Sequence, residues 1–388
     1  MKVLILHPIQ DVMAGSTKAL LNIVSNIKQS GIEVIVGVPG RGALNEELDA
    51  LHISHINLNF RFSVFPNKRS LWQILLLVRR YIVNSIAGIR LALYARKHQI
   101  DIIHSNVSVI DAGYIASQLA HIPHIYHIRE YGEKDFNWQH YVGNRCFLHR
   151  LNLRKQYNIC ITKDIQQYIQ QTNNPRSQVI YDGVLSSTSI HYNSTKKPYF
   201  LFAGRLQPAK GIMPLLQAYA FYHTHCSTPI HLHIAGDTND TEYKVQLINF
   251  AQNNHLENSV SFLGMRQDIL QLYQEAQALI VPSLSEGFGF ITAEAMFSGC
   301  LVIGNDVAGT KEQFDNGKQQ TGEEIGLRYT SQEQLVQHLL NITESVRNNT
   351  FTHIYEPMIL RGQLVVKQLY TTECNAEQIY QFYKNTTL

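Results

Sequence analysis

Apolar residues along this chain fall in short runs separated by segments of helical spacing. Val3–Leu6 is an apolar run of strand length. Behind it, Thr17–Ser30 carries Leu20, Leu21, Ile23, Val24 and Ile27 on one helical stripe and stops at Gly31, where a C-terminal cap is expected. Glu33–Val38 is the next strand, closed by Pro39-Gly40. Ile100–His104, a helix through Tyr114–Ala120, His124–Ile128 and Tyr157–Thr162 continue the alternation. Such alternation predicts a parallel, doubly wound sheet. The pattern then restarts, with strands expected at Tyr199–Ala203, Ile230–Ala235, Ser259–Phe262, Ala278–Val281 and Cys300–Gly304. Between the halves, Asp182–Pro198 is rich in Ser, Thr, Asn and Lys, which is linker composition. The prediction is an α/β chain with domains at 1–183 and 199–365 joined by a linker at 184–198. Two such domains facing each other leave a cleft at the carboxyl ends of their strands, where these sheets bind ligands.

Bulk composition narrows the classes. A chain of 388 residues is too long for one ordinary core, and 45% apolar with 16% charged residues is a folded, soluble composition. A net charge of +3 without a dense basic run gives no argument for nucleic acid, so no nucleic-acid partner is expected. The five cysteines are scattered and form no CxxC, as in a reducing compartment. The 18 histidines show no ligand spacing, so no metal is expected. Met1–Leu6 is too short for a signal-peptide core and reads as the first buried strand. These features predict a cytoplasmic protein.

Residues 71–97 have two readings. Ile74–Val78 is apolar, but Arg79, Arg80, Arg90, Arg96 and Lys97 interrupt anything long enough to span a bilayer. The segment is either an ordinary helix with a solvated face or a basic amphipathic helix resting on anionic lipid. The second reading would associate the protein with the inner face of the cell membrane.

Three loops carry candidate chemistry. Ser283–Glu294 follows the strand Ala278–Val281 and holds Glu286, a glycine turn at Gly287 and Gly289, and Glu294 in a helix-like run. Strand, turn and helix start make an anion site, because the first N–H groups of a helix lack internal partners. The stretch Gly204–Gly211 places Arg205 and Lys210 on a loop after a strand, a pair suited to neutralising a diphosphate. In the first half, Gly15 lets backbone approach a ligand, and Ser16 or Thr17 could cap the helix. A glycoside-hydrolase pair is a poor reading of the two glutamates. A helix N-terminus favours the ionised carboxylate, the wrong direction for a general acid.

The motifs Gly204-Arg205 with Lys210-Gly211, Ile234–Asp237, Val260–Gly264, and Pro282-Ser283 through Glu294–Met296 and Gly299 resemble retaining glycosyltransferases of the GT-B fold, family 4, the glycosyl transferases group 1. Asp101–Asn106, Pro123–Glu130 and Val179–Val184 resemble that family's first-domain strands and inter-domain segment. Residues 366–388 resemble its closing helix, which crosses back to the first domain. The resemblance implies two Rossmann-like domains facing across a cleft, the first binding the acceptor and the second a nucleotide sugar. It implies that Arg205, Lys210, Gly15, Gly289, Phe290 and Ile291 meet the donor diphosphate or sugar and that Glu294 binds the ribose. It also implies that Glu286 and His127 serve catalysis at the sugar. Neither a metal nor another cofactor is implied, the nucleotide sugar being a co-substrate. Ala14-Gly15 stands where a double glycine is common, Asp182 where Asn is usual, and Cys300-Leu301 where proline is usual. The Asp182 change is expected to affect only a turn.

The expected activity is transfer of a sugar, with UDP-sugar as donor, to a glycan or lipid-linked acceptor in bacterial cell-surface polysaccharide synthesis (capsule or lipopolysaccharide). Two alternatives differ in readout. A non-catalytic sugar-nucleotide-binding protein would bind a donor without releasing nucleotide, and a nucleotide-sugar epimerase on the same fold would release it without an acceptor.

Overall fold

The computed structural model describes residues 1–28, 31–66 and 71–387. The chain divides into two compact units, the first comprising Met1–Gly183 with Thr372–Leu388 and the second Val184–Thr371.

In the first unit the elements run β1 (Lys2–Leu6), α1 (Gly15–Ile27), β2 (Glu33–Val38), α2 (Ala43–Ala50), β3 (Ser54–Asn57), β4 (Val64–Pro66), α3 (Leu71–Lys97), β5 (Ile102–Ser105) and α4 (Asp111–Ala120). They continue as β6 (His124–Ile128), α5 (Glu133–Phe136), β7 (Trp138–His140), α6 (Asn144–Leu151), β8 (Gln156–Cys160), α7 (Lys163–Tyr168) and β9 (Ser177–Val179). Seven strands form one parallel sheet in the order β3-β2-β1-β5-β6-β8-β9, and β4 pairs antiparallel with β7. The strand order reverses direction between β1 and β5. Val3 and Ile5 of β1 face a core with α1, whereas Leu4 and Leu6 face one with α3 and α4. Both faces of β1 are therefore buried, which is why its sequence is a continuous apolar run. Gly88 lets α3 lie close on α4, since a Cβ there would stand 2.6 Å from Ile115 Cγ2.

The second unit runs β10 (Tyr199–Ala203), α8 (Ile212–His225), β11 (His231–Ala235), α9 (Thr241–Asn253), β12 (Val260–Gly264), α10 (Ile269–Glu275) and β13 (Ala278–Val281). It ends with α11 (Phe290–Phe297), β14 (Leu301–Asn305), α12 (Ala308–Thr321), β15 (Leu327–Tyr329), α13 (Gln332–Arg347) and α14 (Phe351–Leu369). The six-stranded parallel sheet has the order β12-β11-β10-β13-β14-β15, so its reversal lies between β10 and β13. Gly236 lets two strand ends meet, because its φ is +142° and a Cβ would stand 1.8 Å from the Gly204 carbonyl oxygen.

The chain returns to the first unit as α15 (Thr372–Thr387), whose Ile379, Phe382 and Tyr383 complete the core beside α1. Helix α14 runs through the expected boundary at 366, and residues 184–198 cluster with the second unit. The predicted helix 17–30 begins two residues earlier, at Gly15, and its last two positions lie outside the described residues. The expected cap is also different. Ala14 is the N-cap and has no polar side chain to offer, while Thr17 lies within the helix with its hydroxyl buried against His7.

Candidate functional site

In an open parallel sheet, ligands sit beyond the carboxyl ends of the strands where the strand order reverses. In the second unit that point lies between the loops following β10 and β13, and it gathers the residues singled out above. Arg205 is exposed on the first loop, and Lys210 closes a short 3-10 turn before α8. Gly211 follows at φ +70°, so close to the second loop that a Cβ would stand 1.9 Å from the Pro282 carbonyl oxygen. The Leu284 N–H donates to the Ala209 carbonyl at 2.9 Å, and Lys210 Nζ meets Glu286 Oε2 at 2.6 Å. Glu286 Oε2 also accepts from Ser283 Oγ at 3.1 Å. The two loops are thus stitched by backbone and by an ion pair whose side chains are 26% and 14% exposed.

The glycine turn continues into α11. Gly289 caps it at φ +92°, and the first turn leaves the Phe290 and Ile291 N–H groups without helix-internal partners. Gln313 of α12 donates through Nε2 to the Phe288 and Gly289 carbonyls at 2.7 and 3.0 Å. That clamp keeps either carbonyl from turning into the place of an N–H group. One turn into α11, Glu294 Oε2 accepts from the buried Tyr273 hydroxyl at 3.2 Å. Burial and the neighbouring Glu294 both hold the Tyr273 phenol well above its ordinary pKa, so it stays a neutral donor.

The reversal point of the first unit holds a buried polar network. His7 follows β1, Asn106 follows β5, and His127 and Arg129 lie at the end of β6. Arg129 donates from Nε to the Asn106 carbonyl at 2.9 Å and from NH2 to Asn106 Oδ1 at 3.1 Å. Its NH1 pairs with Asp182, and its NH2 lies 3.3 Å from His127 Nδ1. His104 Nε2 lies 3.2 Å from the same His127 Nδ1, and His104 Nδ1 lies 2.5 Å from the Tyr383 hydroxyl. Asn106 Nδ2 reaches His7 Nδ1 at 3.1 Å and the Ser16 carbonyl at 3.1 Å, beside Gly15. Burial is the main cause that lowers every histidine here. His7 is lowered to about 3 with help from Arg129, and His104 and His127 are also held well below the ordinary range. His124 is lowered to about 4. Burial pushes the Asp182 carboxyl up, and Arg129 opposes that shift.

The expectation that Asp182 alters only a turn is therefore corrected: it is the buried counter-ion of Arg129. The structure brings Lys210, Glu286, Gly289, Phe290, Ile291 and Glu294 around one sheet edge of the second unit, with Arg205 on the adjoining loop. Gly15 and His127 lie at the corresponding edge of the first unit. Arg129, Asn106, His7, Tyr383 and Gln313 were not anticipated as members. Arg129 directly follows an apolar strand, a buried position for an obligate cation, and that was the available signal.

Two further surfaces belong to the first unit. A cavity of about 280 Å³ lies past the end of β6, walled by Glu130, Tyr131, Trp138, His140 and Phe147 among others. Helix α3 packs one face against α4 and leaves a second apolar face open. Trp72, Leu75, Val78, Ile82, Ile86, Ile89 and Leu93 recur every three or four residues and are 46–68% exposed. Arg79, Arg90, Arg96 and Lys97 are exposed beside them, and residues 71–97 contain no acidic side chain. Among the described residues, no helix is long and apolar enough to cross a membrane.

Comparison with known proteins agrees with this architecture. Residues 188–348 match the family model described as glycosyl transferases group 1. An uncharacterized glycosyltransferase of Methanocaldococcus jannaschii is 28% identical over 222 residues, which are 56% of this chain and 59% of the relative. The O-antigen chain mannosyltransferase RfbU of Salmonella typhimurium is 29% identical over 177 residues, 44% of this chain and 48% of the relative. The matched stretches thus span about half the length of these curated relatives. The crystal structure of Anabaena HepE in complex with UDP and glucose superposes with a TM-score of 0.76 at 22% identity, covering 99% of each chain. The fold is the GT-B fold of glycosyltransferases.

Proposed function

We propose that this protein is a retaining, metal-independent glycosyltransferase that moves a hexose-type sugar from a UDP-sugar to a glycan or lipid-linked acceptor in bacterial cell-surface polysaccharide synthesis. The observation that carries the reading is the Lys210–Glu286 pair, held at the switch point of the second sheet beside the N-terminus of α11. A cation and an anion 2.6 Å apart match the junction of a sugar phosphate, where phosphate oxygens and sugar hydroxyls are neighbours. The structural neighbour HepE holds UDP and glucose, and RfbU is by name a mannosyltransferase of O-antigen chains, which supports the donor class and the setting.

On this reading Arg205, Lys210 and the N–H groups of Phe290 and Ile291 receive the diphosphate, Glu294 the ribose, and Glu286 the sugar. Breaking the sugar–phosphate bond puts negative charge on the departing diphosphate and positive charge on the ring. Fixed donors at the diphosphate stabilise the first charge where it develops, and Glu286 faces the second. The departing oxygen takes the acceptor's hydroxyl proton on the same face, which retains the anomeric configuration. The aromatic-walled cavity of the first unit suits the faces of an acceptor sugar ring. The exposed apolar stripe and cationic flank of α3 suit the inner, anionic face of a membrane, where a lipid-linked acceptor would be met.

A screen scoring nucleoside diphosphate release across common nucleotide sugars, with and without acceptor, tests the reading. Acceptor-dependent release is expected. Tight binding without release would favour a binding protein, and acceptor-independent release with an altered sugar would favour an epimerase. Co-sedimentation with phosphatidylglycerol vesicles tests α3 separately: salt-sensitive binding lost on Trp72→Glu is expected, and no binding would remove the membrane assignment.

A further inference from the structure

The network around Arg129 fixes protons as well as side chains. The guanidinium is always charged and can only donate. Its NH2 lies 3.3 Å from His127 Nδ1, so that nitrogen is the bare one and accepts. The ring is buried and neutral, so its single proton sits on Nε2. His104 Nε2, 3.2 Å from the same Nδ1, is then a donor. His104 Nδ1 is left bare and accepts the Tyr383 O–H at 2.5 Å. The reverse order, with the proton on His127 Nδ1, would satisfy the two histidines and the tyrosine equally well. It fails only at Arg129, where an N–H would face an N–H. The cation therefore breaks the tie.

The same residue orders the other side. By drawing Asn106 Oδ1 to itself at 3.1 Å, Arg129 turns Nδ2 toward His7 Nδ1 and the Ser16 carbonyl. His7 then carries its proton on Nε2 and donates to Thr17 Oγ1 at 3.0 Å. Asp182, whose side chain is 2% exposed, supplies the charge that lets the guanidinium remain in the core.

We infer that the Arg129–Asp182 ion pair is a positioning element that locks His127 as an Nε2–H donor, so that His127 recognises an oxygen acceptor on the bound ligand and does not serve as a general base. His127 Nε2 is buried and has no hydrogen-bond partner among the described residues, as a donor awaiting a ligand would be. That the acceptor is a hydroxyl oxygen of the transferred sugar rests on the function proposed above. The tautomer itself does not, and it can be read with no ligand present.

The test is a long-range proton–nitrogen correlation spectrum of the full chain labelled with ¹⁵N-histidine at neutral pH, with His127 assigned through His127→Gln. The expected spectrum shows His127 Nδ1 unprotonated and Nε2 protonated. Arg129→Met combined with Asp182→Leu should bring in the Nδ1–H form. Tyr383→Phe, which removes the far end of the chain but keeps Arg129, should leave the parental pattern. A protonated Nδ1 or an imidazolium in the parental protein would overturn the inference. So would a parental pattern surviving in the paired variant, or its loss in Tyr383→Phe. Should the paired variant fail to fold, the parental and Tyr383→Phe spectra still decide. Donor turnover is not an input to any of these readings, so the inference and the proposed activity fail separately.

Discussion

Acidification should unfold the first unit before the second. His7, His124 and His140 are buried, and their pKa values are lowered from 6.5 to about 3, 4 and 3, in each case chiefly by burial. Between about pH 3 and 6.5 the unfolded chain therefore holds more protons than the folded one, so stability falls as pH falls through that window and is complete above it. For each such group, moving from pH 7 to pH 5 costs about 2 kcal/mol, or about 6 kcal/mol for three acting independently. His104 and His127 shift in the same direction and add to the loss. Against a typical folding free energy of about 5–15 kcal/mol this is a large fraction. The two tryptophans of the chain, Trp72 and Trp138, both lie in the first unit, so their fluorescence reports on it alone. Urea unfolding followed by tryptophan fluorescence should show the midpoint falling by about 2 M between pH 7 and pH 5. A midpoint unchanged over that range would refute the buried, neutral histidine network.

Asp182→Ala leaves Arg129 buried without its counter-ion and should destabilise the first unit by about 3–5 kcal/mol in the same assay. Arg129→Met with Asp182→Leu should cost less than Asp182→Ala, the remainder, about 1–3 kcal/mol, coming from the Asn106 oxygens left without donors. Gly236→Ala forces a Cβ to within 1.8 Å of the Gly204 carbonyl at a positive φ. It should lower the stability of the second unit by more than about 3 kcal/mol. Circular dichroism should register that loss while the tryptophan transition stays in place.

Much of the fold was legible because the central strands are buried on both faces. Glu33–Val38, His124–Ile128 and Ala278–Val281 appear with the expected bounds, each an uninterrupted run ended by a Pro, Gly or charge. The strands not anticipated are the short or outer ones. Ser54–Asn57 pairs with β2 alone and has a single apolar residue, Ile56, and Val64–Pro66 and Trp138–His140 hold only three residues each. Such strands are made by tertiary pairing and leave no periodic signal of their own. The second-unit site was legible because its residues follow one another in two loops. The first-unit network was not, since Arg129, Asp182 and Tyr383 come from three distant stretches that only the sheet and α15 bring together. Asp182 shows the limit most clearly, for a residue expected to shape a turn balances a buried cation.

Calorimetric titration of UDP into the intact chain, against Lys210→Met, tests most directly whether the switch point of the second sheet is a nucleoside-diphosphate seat. Removing Lys210 deletes a charge-assisted hydrogen bond worth about 1.5–3 kcal/mol and leaves Glu286 without its paired cation beside the diphosphate site. The account predicts UDP binding by the parental protein and a Kd raised by about 10- to 100-fold or more in the folded variant. Equal affinity in the two proteins would contradict it.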